Sequence, residues 1–249
     1  MIEAIGVVIP AHDEEQTIGR CLRALATSLA GVRQRVEVCV VADRCTDATV
    51  SITRTVMPTA TVLVVEAARS LGEVRDLGVR EVLDRLAGHD PAAVWLMGTD
   101  ADTRVSAAWV GNQLAHADTV DAVTGLIALE PAEHLNAVLR DRYQQLVAAG
   151  IRPLDHDHVH GANFGVRASA FLAVGGYRPL RTGEDRDLWY RLREAGFCTR
   201  QPRDLTVATS SRLVGRATDG LADLLSGLVS PDQVGPPRPG YRGAANPAC

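Results

Sequence analysis

The chain has 249 residues, 46% of them hydrophobic and 22% charged, with a formal net charge of −4. That is enough apolar sequence for a full core, and one domain is the default at this length. The acidic balance and an aromatic share of 4% offer neither a basic field nor stacking platforms, so no nucleic-acid partner is expected. Cysteines stand at 21, 39, 45, 198 and 249 without a C-x-x-C pair, which argues against a disulfide framework or zinc knuckle and fits a reducing compartment. The N-terminus enters I-G-V-V-I with no basic region ahead of it, and no run approaches the ~20 apolar residues that span a bilayer. A cytoplasmic protein without an integral membrane segment is expected.

Residues 4–9 read as a buried strand ended by Pro10, because proline cannot donate to a central ladder. Asp13 and Gln16 then have capping-box spacing, and Ile18, Leu22, Leu25 and Leu29 predict an amphipathic helix to about Ala30. Val36–Val41 is a second apolar strand, followed by a turn in which Thr46 or Asp47 can cap the next helix. Thr61–Val65 is a third strand, Gly72–Ala87 a helix, and Val94–Met97 a fourth strand. This β-α alternation predicts a parallel sheet covered by helices on both faces. Further on, helices are predicted over 106–117, 131–149, 168–174 and 184–195, with strands near 122–129 and 199–208. Leu221, Leu224, Leu225 and Leu228 form a helical stripe that reads as core packing. Residues 230–249, rich in proline and glycine, read as a disordered tail.

The fourth strand runs V-W-L-M and releases two carboxylates, Asp100 and Asp102, in the sequence T-D-A-D-T. Ligands of open α/β sheets collect at such strand ends. Two acids placed there call for a cation, and Mg²⁺ is commonly held by one or two carboxylates plus substrate phosphates. A metal–diphosphate site is therefore expected, against the plain alternative of a solvated turn. Arg75 and Arg69, near the start of the third helix, could hold phosphates, although arginines on a helix face are usually solvated. His156, His158 and His160 alternate, which in an extended segment puts all three on one face. Of these, His160 beside Gly161 is the better pocket or metal candidate. Glu184, Asp185 and Asp187 open a predicted helix, where acids suit the dipole whatever else they do.

Taken together, V-V-I-P-A-H-D-E-E (7–15), V-V-A-D-R-C-T-D-A-T (40–49), T-D-A-D-T (99–103), H-G-A-N-F-G-V-R (160–167), G-G-Y-R-P (175–179) and G-E-D-R-D-L-W-Y-R-L (183–192) resemble family 2 glycosyltransferases of the GT-A fold. The blocks keep the family's order over about residues 5–200. The resemblance implies an α/β fold in which a Rossmann-like nucleotide-binding half joins an acceptor-binding half over one mixed, mostly parallel sheet. It implies residues 1–229 as one domain, with 1–104 as the nucleotide half and 105–229 as the acceptor half.

The resemblance further implies inverting transfer of a hexose from a UDP- or GDP-sugar to a hydroxyl, with Mn²⁺ or Mg²⁺. Pro10, Ala11 and Glu14 fall where the family's first loop touches the nucleoside, and Asp43 where an aspartate contacts the base. Asp100 falls near the ribose and metal, and Asp102 on the metal. Gly161 and Asn163 fall on the donor-sugar and acceptor pocket. Glu184-Asp185 matches the family's E-D pair, with Asp185 as the expected general base. Ala42 and Arg44 depart from the family's D-D-G pattern, so the resemblance does not carry a base preference. Some relatives use a late histidine as an extra metal ligand, and this chain has none after His160. The Q-x-x-R-W signature and membrane helices of processive synthases are missing, which favours a single transfer to a soluble acceptor.

Three other readings compete. A dehalogenase-type phosphatase needs D-x-D-x-T, but position 104 is Arg104. A retaining transferase of the same fold and a non-catalytic sugar-nucleotide-binding module are the nearer alternatives.

Overall fold

The computed structural model describes residues 1–67, 69–132, 135, 137–215 and 220–229. Strand β1 (Ala4–Ala11) is central, flanked in parallel by β2 (Arg35–Asp43) on one side and β4 (Val94–Gly98) on the other, with β3 (Thr61–Val65) outside β2. The helices between them are α1 (Ile18–Leu29), α2 (Thr49–Val56) and α3 (Leu71–Arg85). Alternation along the strands splits the core. Ile5, Val7, Ile9, Trp95 and Met97 pack with Ile18, Leu22 and Leu25 of α1. Val8, Val41 and Leu96 pack with Val74, Val79 and Val82 of α3.

Pro10 does not end β1, which pairs with β2 through Ala11. The Val8 carbonyl accepts from Thr99 N on the β4 side. By strand alternation Pro10 presents that same edge, beyond the last β1–β4 pair at Val8 and Gly98, so its missing N–H removes no ladder bond. Asp13 and Gln16 form no capping box either. Helix α1 starts at Ile18 after Thr17, while Asp13 has left-handed backbone (φ 51°) and accepts from Thr46 N at 2.7 Å. Asp47 is the acid that meets the start of α2, accepting from Thr49 N at 2.9 Å. Helix α3 carries a complete capping box between Ser70 and Glu73.

The rest of the chain extends the same sheet with changed polarity. After β5 (Thr103–Arg104) and α4 (Trp109–Ala117) come β6 (Ala122–Thr124) and β7 (Leu126–Leu129). The predicted 122–129 strand breaks at Gly125, where a Cβ would run into Asn163 and Leu205. Helix α5 spans Ala137–Ala149, beginning later than predicted. Strand β8 (Phe164–Arg167) leads into α6 (Ala168–Ala173), and α7 spans Glu184–Glu194. The predicted 199–208 strand is two pieces, β9 (Thr199–Arg200) and β10 (Thr206–Thr209), before α8 (Leu221–Val229).

The large sheet runs β3-β2-β1-β4-β8-β6-β9, with β8 antiparallel to both neighbours, so it is mixed and mostly parallel. A small sheet, β5-β10-β7, stands beside it and ties the segment after β4 to the chain's later part. Most of the leucine stripe is core packing as expected, with Leu225 buried against Leu135, Leu139 and Tyr143 and Leu221 and Leu228 partly buried beside it, but Leu224 is exposed. Residues 230–249, the predicted tail, lie outside the described residues. Among the described residues no helix is long and apolar enough to cross a membrane.

The first turn of α3 lies against the segment leading to α7, with Gly72 N donating to Leu180 O at 3.0 Å. A Cβ on Gly72 would collide with the backbone carbonyl of Arg178, which cannot swing aside as a side-chain tip can. Gly72→Ala is therefore expected to destabilise the fold by about 1–3 kcal/mol, read as a lower urea midpoint, despite alanine's better helix propensity.

Candidate active site

The parallel strands β1, β2 and β4 finish at one edge of the sheet, and the candidate residues gather there. Beyond β4, Asp100 and Asp102 leave the sheet in a turn closed by Thr103 N donating to Asp100 O at 3.0 Å. From α3, Arg75 reaches across this edge. Its guanidinium Nη2 lies 2.6 Å from Asp100 Oδ1, its Nε 2.9 Å from Glu184 Oε1, and its Nη1 3.5 Å from the Gly161 carbonyl. Arg75 is thus not solvated. Its side chain is only 4% exposed, and so is that of Glu184. Arg69 is the half-exposed arginine, pairing with Glu73 at 3.9 Å.

Gly183 supplies the left-handed turn (φ 74°) from which α7 starts, and this delivers Glu184 and Asp185 to the cluster. Asp185 Oδ2 accepts from Gly161 N at 2.7 Å, and Oδ1 accepts from the Arg186 backbone N at 2.7 Å. Each carboxylate oxygen keeps a further lone pair beyond these bonds. The Gly161 peptide thus touches Asp185 through its N–H and Arg75 through its C=O. One peptide and one guanidinium link Asp185, Glu184 and Asp100. Burial raises the Asp185 carboxyl above the ordinary carboxylate value, with Arg75 and the two backbone N–H groups opposing it. Burial likewise raises Glu184, again opposed by Arg75.

Asp102 is a different case. Burial, then the neighbouring Asp100 charge, push its carboxyl up to about 6, while Arg212 and Thr209 pull it down. Thr209, at the end of β10, donates to Asp102 Oδ1 at 3.3 Å. Arg212 holds Asp102 Oδ2 at 3.2 Å and Glu14 Oε1 at 2.7 Å. A carboxylate that burial and a like charge make hard to ionise is one that favours a nearby cation. Together with the oxygen-only chemistry of Asp100 and Asp102, this fits a hard divalent ion whose shell a substrate phosphate completes.

The remaining candidates are placed as follows. Pro10 and Ala11 close β1, and Glu14 is buried just beyond them, with its backbone N donating to Thr49 Oγ1 at 2.7 Å. Asp43 closes β2, its buried carboxylate held by Arg44, which takes left-handed backbone (φ 50°). The Asn163 side chain does not reach the cluster. It accepts from Trp109 Nε1 at 2.9 Å and donates to the Leu126 and Leu205 carbonyls, fully buried, so its amide braces the frame.

His156, His158 and His160 do line up, with successive ring centroids 5.8 Å apart. Burial, reinforced by the other imidazoles, pushes His160 down to about 3, and its backbone N donates to Thr124. Among the described residues, the His, Cys, Asp or Glu side chains grouped closely enough for three to share an ion are Asp13, Cys45 and Asp47. His160 therefore joins no third ligand around Asp100 and Asp102. The two acids of that group already serve the loops, Asp13 accepting from Thr46 N and Asp47 from Thr49 N. The sequence reading missed Arg212 and Thr209. Neither sits in a recognisable motif, and the one hint was that two acids without a cation are incomplete.

The α/β chain with its large mixed, mostly parallel sheet matches the fold of GT-A glycosyltransferase structures. A mannosyltransferase from Pyrobaculum calidifontis, PcManGT in complex with GDP-Man and Mn²⁺, superposes with a TM-score of 0.61 at 19% identity. The match covers 83% of this chain and 56% of that one. S. aureus TarS 1-349 in complex with UDP-GlcNAc gives a TM-score of 0.64 at 14% identity, covering 87% and 60%. The chain therefore spans somewhat over half the length of these neighbours. The model of glycosyl transferase family 2 matches residues 6–175. The chain belongs to that family. No curated protein sequence matches it.

Proposed function

We propose that this chain is a metal-dependent, inverting glycosyltransferase that moves a hexose from a UDP- or GDP-sugar to a hydroxyl of a soluble acceptor. Residues 1–229 act as one unit, the nucleotide half 1–104 binding the donor and the later half presenting the acceptor. The observation that carries the reading is the link from Asp100 through Arg75 and the Gly161 peptide to Asp185, which joins an acidic pair and a candidate base in one cluster. Family membership supports the activity, and the neighbours bound to GDP-Man and UDP-GlcNAc support the donor class.

Asp102, with Asp100, would hold Mn²⁺ or Mg²⁺, and that ion would offset the charge that builds on the departing diphosphate. Pro10, Ala11 and Glu14 face the nucleoside, and Asp43 the base. The acceptor hydroxyl attacks the anomeric carbon as the bond from that carbon to the diphosphate oxygen breaks. The electron pair leaves with the diphosphate, and the hydroxyl proton passes to an Asp185 carboxylate oxygen. Arg75 offsets part of the burial that disfavours the Glu184 carboxylate beside Asp185, and the Gly161 N–H fixes the orientation of the Asp185 carboxylate. Attack from the face opposite the diphosphate inverts the anomeric centre.

A panel of nucleoside-diphosphate sugars with Mn²⁺ and Mg²⁺, followed by thermal shift, identifies the donor, since a ligand raises the melting temperature by mass action. NMR of the glycoside formed then reads the anomer. An inverted product supports the proposal, a product of retained configuration assigns the retaining alternative, and binding without hydrolysis or transfer assigns a binding module. A base must be ionised to accept a proton, and burial raises the Asp185 carboxyl. We therefore expect kcat to climb with pH along a limb lying above the ordinary carboxylate value and then level off. A kcat flat down to pH ~4, the ordinary Asp range, would contradict that role.

A further inference from the structure

Arg212 stands in the segment just after β10, and its guanidinium bridges two carboxylates from distant parts of the chain. Nη1 lies 2.7 Å from Glu14 Oε1 and Nη2 3.2 Å from Asp102 Oδ2. The carboxylates are 6% and 12% exposed and Arg212 itself 29%, so the pairs are substantially withdrawn from water. Glu14 is fixed further by Thr17 Oγ1 at 2.7 Å, and Asp102 by Thr209. Two withdrawn acids with no cation would be costly, and the guanidinium fork answers both at once.

Such an arrangement has a consequence for metal entry. A divalent ion on Asp102 would meet a fixed positive charge already hydrogen-bonded to that carboxylate, and two cations at that range repel strongly. We infer that Arg212 is a built-in counter-ion for Asp102, competing with the divalent metal for this carboxylate and leaving it when the metal binds. The inference rests on the metal role proposed for Asp102. It predicts that free metal binds weakly to the unliganded protein, because each ion must first displace an arginine. Arg212 remains tethered to Glu14 as it leaves Asp102, so the displacement is local.

The test is direct Mn²⁺ binding without nucleotide, read from the loss of the free-ion EPR signal, in wild type, Arg212→Ala and Arg212→Gln. Glutamine keeps side-chain bulk without charge and guards against a packing defect in the alanine variant, and melting curves check that each is folded. Both variants are expected to bind Mn²⁺ more tightly than wild type, by about 5- to 150-fold, the usual span of a coupling between two sites. Adding Asp102→Asn to either variant is expected to erase the gain. Equal affinity in wild type and both variants overturns the inference, and so does a gain that survives Asp102→Asn. If Mn²⁺ binds none of these proteins even with UDP or GDP present, the metal role of Asp102 itself falls and the competition with it.

Discussion

Asp185→Asn is expected to lower kcat by about 10²–10⁴-fold, the usual contribution of a positioned general base. Asparagine keeps the shape but has a single acceptor oxygen, so it retains one of the two bonds that orient the carboxylate, from Gly161 N to Oδ2 or from Arg186 N to Oδ1. It cannot take a proton from a hydroxyl. Donor binding should persist, because the residues assigned to the nucleotide lie on β1 and the loop after it, at the end of β2 and in the turn after β4. The pattern to look for is a fall in kcat with the affinity for the nucleoside diphosphate little changed. Near-normal turnover would remove Asp185 as the base, and joint loss of turnover and nucleotide binding would mean a structural role.

Arg75→Met should produce a large loss of stability. The guanidinium is buried and serves Asp100, Glu184 and the Gly161 carbonyl together. Methionine fills much of the volume but leaves the Glu184 carboxylate buried with its cation removed. Breaking a buried pair from one side typically costs about 3–5 kcal/mol, because the remaining charge is left uncompensated. Arg75→Lys should recover little, since an ammonium cannot reproduce a fork that meets two carboxylates. Adding Glu184→Gln to Arg75→Met should restore part of the loss, because it removes the stranded charge. Urea unfolding reads all three, and a loss below about 1 kcal/mol for Arg75→Met, the worth of a surface pair, would show the ion pairs to be peripheral.

Much of the chain through β4 was legible because local rules decide it. The apolar bursts at 36–41, 61–65 and 94–97 each became a parallel strand, and the break from Met97 to Asp100 marked the carboxyl edge of the sheet. Errors fell where a distant partner decides. Asp13 looked like a helix cap, but its carboxylate bonds Thr46 N, a contact that exists only once β1 and β2 lie side by side. Pro10 looked like a terminator because its unneeded donor depends on where β4 stops. Arg75 looked like a surface residue on its helix, and only the meeting of α3, the Asp100 turn and α7 buries it. The small sheet was illegible for the same reason: β5, β7 and β10 are short, and each pairs across a long stretch of chain. Arg212 reaches Asp102 only through that small sheet, so no local pattern announces it.

The central claim is that the turn after β4 holds a cation that grips a nucleoside diphosphate. Calorimetric titration of UDP and GDP into the wild-type protein and into Asp102→Asn, each with and without Mn²⁺, tests it most directly. For at least one of the two nucleotides, Mn²⁺ should tighten binding to the wild type and leave binding to Asp102→Asn unchanged. Failure of both nucleotides to bind, or the same Mn²⁺ enhancement in both proteins, would contradict it.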